Sequence, residues 1–188
     1  MLRCSPPIAP DPPSGADSHV PDARSSSIVH SLLDYGNAVQ VGIPLAYLVH
    51  RLQSVLNAAA RFIDHLRPHD HISDALETLH WLRVPERVQY KIAVLTFKVL
   101  HDSAPRYLGP LVAVDDLPGR RALLSASTSR LVIPPIKLST VGSRIFPVAA
   151  AQVWSGLPEA VISSSSLQTF RRQLKTHLLQ LSYPRLIL

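Results

Sequence analysis

Three imidazoles and a carboxylate fall within seven residues of this chain: His65, His69, Asp70 and His71. Imidazole and carboxylate are good zinc ligands. On a helix they pair at i, i+4, and Pro68 breaks the helix between His65 and His69. No cysteine stands near them. The cluster reads as a polar connection between helices, and no metal is expected there. Asp115 and Asp116 raise a second possibility, because adjacent aspartates can hold two metals in line for nucleotide transfer. That chemistry needs a third carboxylate and flanking strands. Here Leu117-Pro118-Gly119-Arg120-Arg121 follows, a turn and a basic pair. Cys4, the single cysteine, lies among prolines and is no nucleophile. The seven glycines form no phosphate-cradling loop, and no G-x-S-x-G elbow exists. No catalytic residue, cofactor or metal is expected.

The remaining chemistry is charge. The net charge is +6, but it is unevenly placed. Residues 1–116 carry ten Lys/Arg and twelve Asp/Glu, a net of −2. Residues 117–188 carry nine Lys/Arg and only Glu159, a net of +8. A basic segment attracts phosphate backbones through counterion release. Arg120, Arg121, Arg130, Lys137, Arg144, Arg171, Arg172 and Lys175 are the candidate phosphate contacts. The alternative is that these residues only solubilise a Leu- and Ser-rich segment.

The elements that position these residues are helical. Residues 1–24 hold six prolines and few large apolar side chains, so they read as a disordered tail. Ser25–Ser27 offer capping oxygens for a short helix carrying Ile28, Val29, Leu32 and Leu33, stopped near Gly36 and Asn37. After Pro44 comes a long stripe: Leu45, Leu48, Leu52, Val55, Leu56, Ala59, Phe62, Ile63 and Leu66. Its i, i+3, i+4, i+7 spacing predicts a helix ended by Pro68. Ser73 starts a short helix with Leu76 and Leu79. Pro85 suits the first turn of the next, from Glu86 to His101. Val88, Ile92, Leu95, Val99 and Leu100 are its expected buried face, widened by Val94 and Phe97, with Arg87, Lys91 and Lys98 on another. Tyr107, Leu108 and Leu111 read as a docking turn.

Beyond Val114 the pattern weakens. Leu131–Ile133 is β-prone, but Pro134-Pro135 bars it from the middle of a sheet. Ile145–Trp154 is apolar and Ala-rich. Ser163–Ser166 can cap a final helix with Leu167, Phe170, Leu174, Leu178 and Leu181 on one stripe and Arg171, Arg172 and Lys175 beside it. The expected fold is mostly α: four to five helices in a small bundle, an irregular basic linker, a C-terminal amphipathic helix and a disordered N-terminal tail. The expected division is a tail at 1–24, a helical body at 25–113, and a basic linker with helical extension at 114–188. No apolar run approaches the roughly 18 residues that span a bilayer, and the first ten residues lack an apolar signal core. A soluble, intracellular, non-membrane protein is expected.

A series of short motifs adds a resemblance. Leu33-Asp34-Tyr35-Gly36-Asn37-Ala38 is followed in order by Gly42-Ile43-Pro44 and by Leu52-Gln53-Ser54-Val55-Leu56-Asn57-Ala58-Ala59-Ala60-Arg61. Then come Leu79-His80-Trp81-Leu82-Arg83-Val84, Leu95-Thr96-Phe97-Lys98 and Ala104-Pro105-Arg106-Tyr107-Leu108. Gly142-Ser143-Arg144-Ile145-Phe146, Ala149–Pro158 and Phe170–Leu178 close the series. The order resembles the carboxyl-terminal region, downstream of the polymerase palm, of non-LTR (LINE-type) retrotransposon reverse transcriptases. It covers about residues 30–180. Gly36 stands where the family has Cys, and Arg83 where it has Pro. The family's palm and its Asp-Asp metal motif have no counterpart here.

The resemblance implies a non-catalytic fragment, thumb-like in position, that holds RNA or DNA without sequence specificity. Two other expectations stand beside it. One is an inert translated remnant of the element. The other is a helical interaction module whose apolar faces dock on a partner or self-associate.

Overall fold

Which of the apolar stripes are inner faces depends on how the helices meet. The computed structural model describes residues 46–67, 69–116, 130–135 and 145–184, with Ser27 and Ser31 as isolated, exposed helical positions. The Pro-rich tail and the rest of the helix expected after Ser25 lie outside the described residues. Between 46 and 184 the described residues form six α-helices and two 3-10 turns, with no strand. The fold is mostly α, as the periodicity predicts.

The first helix, α1, spans Ala46–Ile63. It ends before Pro68 because His65 takes φ 51°, a left-handed turn. The amide of Leu66 then reaches back to the carbonyl of Arg61 at 3.0 Å. This is the six-residue closure that normally selects glycine. The next two helices end likewise. In α2, Ile72–Thr78, His80 has φ 53° and Trp81 N–H donates to Leu76 O at 2.9 Å. In α3, Val84–Leu100, Asp102 has φ 51° and Ser103 N–H donates to Lys98 O at 2.8 Å.

Helix α3 carries Pro85 in its first turn, and its Arg83 cap residue supplies no side-chain cap. The missing acceptor comes from α1: Gln53 Oε1 receives the Val84 amide at 2.9 Å. Gln53 is held in turn by its own Nε2, which donates to Asn57 Oδ1 at 2.8 Å. A side chain 31 residues away thus does the work of an N-cap.

Helix α3 buries a different face from the one its stripe predicts. Val84, Ile92, Ala93, Val94, Thr96 and Phe97 are buried, while Val88, Leu95, Val99 and Leu100 are only half-covered. Arg87, expected on an outer face, is only 9% exposed. The reason lies in side-chain size. Ala93 is fully covered and faces neighbours that carry alanines of their own. Small residues let helices approach closely, and Thr96 joins this contact because its hydroxyl donates back to Ile92 O at 2.8 Å.

Two helices cover that face. Helix α4, Phe146–Ser155, buries Val148, Ala149, Ala150, Ala151 and Trp154, an apolar ring consistent with an inner helix. A short α5, Glu159–Ile162, leads to α6, Leu167–Ser182. Ser166 caps α6 by accepting from Thr169 N–H at 3.2 Å, as the serine run predicts. Phe170, Leu174 and Leu178 are its buried stripe. Leu181 departs from that stripe and is 57% exposed, because the chain leaves helical geometry and buries Tyr183 instead.

The buried residues form two clusters. One joins α3, α4 and α6 around Phe97, Trp154, Phe170 and Leu174, and takes in Leu82 and Leu131. Phe170 stacks on Phe97 at 4.5 Å and on Trp154 at 5.7 Å between centroids. The other joins α1 and α2 to the start of α3 through Leu56, Ala60, Ile63, Leu76, Trp81 and Val84, and is completed by Tyr183. Leu179 packs against both. Core residues thus come from both sides of residue 114.

Leu131 enters the core from a single antiparallel bridge to Ala113. Val114 N–H donates to Arg130 O and Val132 N–H to Val112 O, each at 2.9 Å. The prolines at 134 and 135 follow at once, so the bridge does not lengthen into a strand. In the turn before it, Leu108 and Leu111 are half-buried but Tyr107 is 84% exposed and does not dock.

Only part of the α1 stripe is core. Leu56, Ala60 and Ile63 are buried, with Val49, Leu52 and Ala59 half-covered against them. Leu48, Val55 and Phe62 are 40%, 55% and 77% exposed. Helices α2 and α3 meet α1 along one side, and the broad stripe extends past the edge of that contact.

Candidate nucleic-acid interface

The basic residues of α6 owe their position to the residues between them. Phe170, Leu174 and Leu178 anchor one side of the helix in the core, which turns Arg171, Arg172 and Lys175 toward solvent, and all three are exposed. No acidic residue occurs between Leu167 and Ser182. Arg171 and Lys175 are four apart and share a face, and Arg172 lies next to them around the helix. Because these side chains are solvated, neutralising them removes charge with little change in packing.

Arg171 also acts across to α3. Tyr90 is half-buried beside the first core cluster, and burial raises its hydroxyl pKa above 10.0. The Arg171 charge pulls in the opposite direction. A phenol next to a guanidinium is a common wall for a sugar-phosphate chain, and spacing within α6 alone gives no sign of it. Arg130 is exposed too, with its backbone fixed by the bridge to Val114. Arg120, Arg121, Lys137 and Arg144 lie outside the described residues. Four of the eight expected basic residues are therefore placed, and three of them share one helix.

The imidazole cluster is dispersed. His65 is the left-handed residue ending α1, and His69 and His71 are exposed. Asp70 is used locally, its Oδ2 accepting from Arg67 N–H at 2.7 Å. Among the described residues, no group of three or more His, Cys, Asp or Glu side chains is placed to hold a metal ion. Asp116 sits exposed at the end of the 3-10 turn Val114–Asp116.

Arg83 has a structural role that the sequence does not announce. Its guanidinium lies 5.3 Å from the centre of the Tyr183 ring. The Tyr183 hydroxyl donates to the Trp81 carbonyl at 2.9 Å in the core. Burial pushes this hydroxyl above its ordinary pKa of 10.0, and Arg83 partly opposes the shift. Arg83 thus ties the end of α6 to the turn before α3.

Two clefts open near these elements. One, of about 690 Å³, lies behind the end of α3 and is bordered by Asp102, Arg106 and Asp116. The other, of about 590 Å³, lies between α1, α2 and the first turn of α3. No described helix is long and apolar enough to cross a membrane. No protein-family model, curated protein or solved structure matches the chain.

Proposed function

We propose that this chain is a non-catalytic relative of the region that follows the palm in LINE-type reverse transcriptases, and that it binds RNA or DNA through the phosphate backbone. The observation that carries the binding is the exposed trio Arg171, Arg172 and Lys175 on a helix without acids, its other side anchored in the core. A rigid row of cations meets a phosphate chain without first paying to order itself. Backbone contacts position a nucleic acid and carry no sequence information by themselves.

The motif order supports the family reading. Its segment 52–61 supplies Gln53 and Asn57 to the α3 cap, Leu56 and Ala60 to the core, and Arg61, whose Nη1 donates to Arg67 O at 2.7 Å. These are framework roles, which fits a part that holds rather than reacts.

The test is binding of the whole chain to labelled RNA and DNA at 50 and 200 mM salt. Affinity should fall well over tenfold across that range if three or more phosphates are contacted. Absence of binding at the lower salt would favour an inert remnant of the element. A second reading, self-association, is favoured by one observation: Leu48, Val55 and Phe62 recur at seven-residue intervals and stay exposed. Sedimentation across a concentration series tests it, and a monomer throughout removes it.

A further inference from the structure

We propose that the cleft between α1, α2 and the start of α3 takes one unpaired base of a single-stranded nucleic acid, with Glu86 accepting from the base's exocyclic amino group. This deepens the nucleic-acid reading above and rests on it. The cleft holds about 590 Å³, within the range of small-ligand pockets. Val49, Ile72, Leu76 and Pro85 supply apolar walls of the kind a planar ring needs. His50 and Arg83 stand on the rim, both exposed.

The distinctive feature is Glu86. It lines the cleft, and its Oε2 is out of solvent yet accepts no hydrogen bond. A buried carboxylate oxygen without a donor is costly. A ligand N–H would satisfy it. Gln53 and Asn57 also border the cleft, but they are engaged with the Val84 amide and with each other. The open polar position is therefore an acceptor. Cytosine presents an amino group at N4 where thymine presents a carbonyl oxygen at O4, so a carboxylate separates the two.

The cleft is also placed for a strand held by α6. Arg83 borders it and sits over Tyr183, just beyond the end of α6. Lys175 lies seven residues before Ser182, roughly 10 Å along the helix. A few nucleotides of extended strand bridge that gap.

The test measures binding of the full chain to (dC)12 and (dT)12 at one salt concentration and then across a salt series. Cytosine strands should bind about tenfold more tightly, with equal salt slopes for both. Glu86→Gln should erase that preference, because its amide also donates to the thymine carbonyl. Ser73→Trp, which fills the cleft from α2, should erase it as well while leaving the salt slope unchanged. Circular dichroism checks that both variants keep their helices. Equal binding of the two strands by the wild type overturns the base pocket and leaves the backbone reading standing. So does a preference that survives both variants. No salt-dependent binding of either strand overturns both readings. Cytidine 5′-monophosphate is the competitor, and displacement of (dC)12 by it at micromolar concentration would assign the cleft to free nucleotides and overturn the strand proposal.

Discussion

Neutralising the exposed face of α6 gives the most direct measure of what that helix does. The perturbation is the triple change Arg171→Gln, Arg172→Gln and Lys175→Gln. All three side chains are exposed, and the core residues Phe170, Leu174 and Leu178 are untouched. Stability should therefore change by no more than about 0.5 kcal/mol. Binding should change much more. Each phosphate contact contributes about 0.7 to the slope of log affinity against log salt for single strands, and about 0.9 for duplex. Losing three contacts makes the slope shallower by about 2.1 or about 2.7. Across a fourfold rise in salt, from 50 to 200 mM, the wild type should lose roughly 20-fold more affinity than the variant for single strands, and roughly 40-fold more for duplex. The assay is fluorescence anisotropy of a labelled oligonucleotide at four or more salt concentrations, with circular dichroism as the fold control. An unchanged slope in a folded variant would refute the reasoning, because α6 would then not be on the phosphates.

Three further expectations concern the framework. Tyr183→Phe leaves the buried Trp81 carbonyl without its donor and should cost roughly 1–3 kcal/mol, read as a lower melting temperature at pH 7. The same hydroxyl gives a pH signature. Its folded pKa lies above 10.0, so its contribution is complete below pH 10.0 and is lost as pH rises through the folded value. Melting temperature between pH 8 and 11 should fall more steeply for the wild type than for the Phe variant, and parallel curves would count against it. Gln53→Ala removes the distant cap on Val84 and should cost about 1 kcal/mol in denaturant unfolding, whereas Ser54→Ala on the exposed side of α1 should cost much less. Asp102→Gly should stabilise by about 1 kcal/mol, since it relieves φ 51° and removes an acid from the negative end of α3. A drop in stability would show that Asp102 has a favourable role not visible in its geometry.

Local rules made some of this architecture legible and left other parts hidden. The α6 stripe at 170, 174 and 178, the Ser166 cap and Pro85 in the first turn of α3 all follow from chemistry within a few residues. The basic trio was legible for the same reason, since anchoring one side of a helix fixes the other. The rest depends on partners distant in the chain. Nothing near Gln53 says that it caps a helix 31 residues later. Periodicity marks Leu48, Val55 and Phe62 as apolar, but which part of a broad stripe is covered depends on where α2 and α3 lie. The rotation of α3 follows from alanines in α4, more than 50 residues on. Histidine and aspartate at left-handed helix ends stayed hidden because glycine is the usual marker there. The Glu86 cleft is formed by three helices, and no one of them carries its pattern.

The Tyr183 contact has a consequence for synthesis. Trp81 and Tyr183 are 102 positions apart, and α6 covers the inner face of α3. At about 5–20 residues per second, the interval between making Leu100 and making Tyr183 is roughly 4–17 s. Through that interval Phe97, Val94 and Trp81 are on the ribosome without the helix that shields them. The nascent chain thus carries a sticky surface for seconds, and its demand for chaperones should rise when translation slows between the codons of α3 and α6.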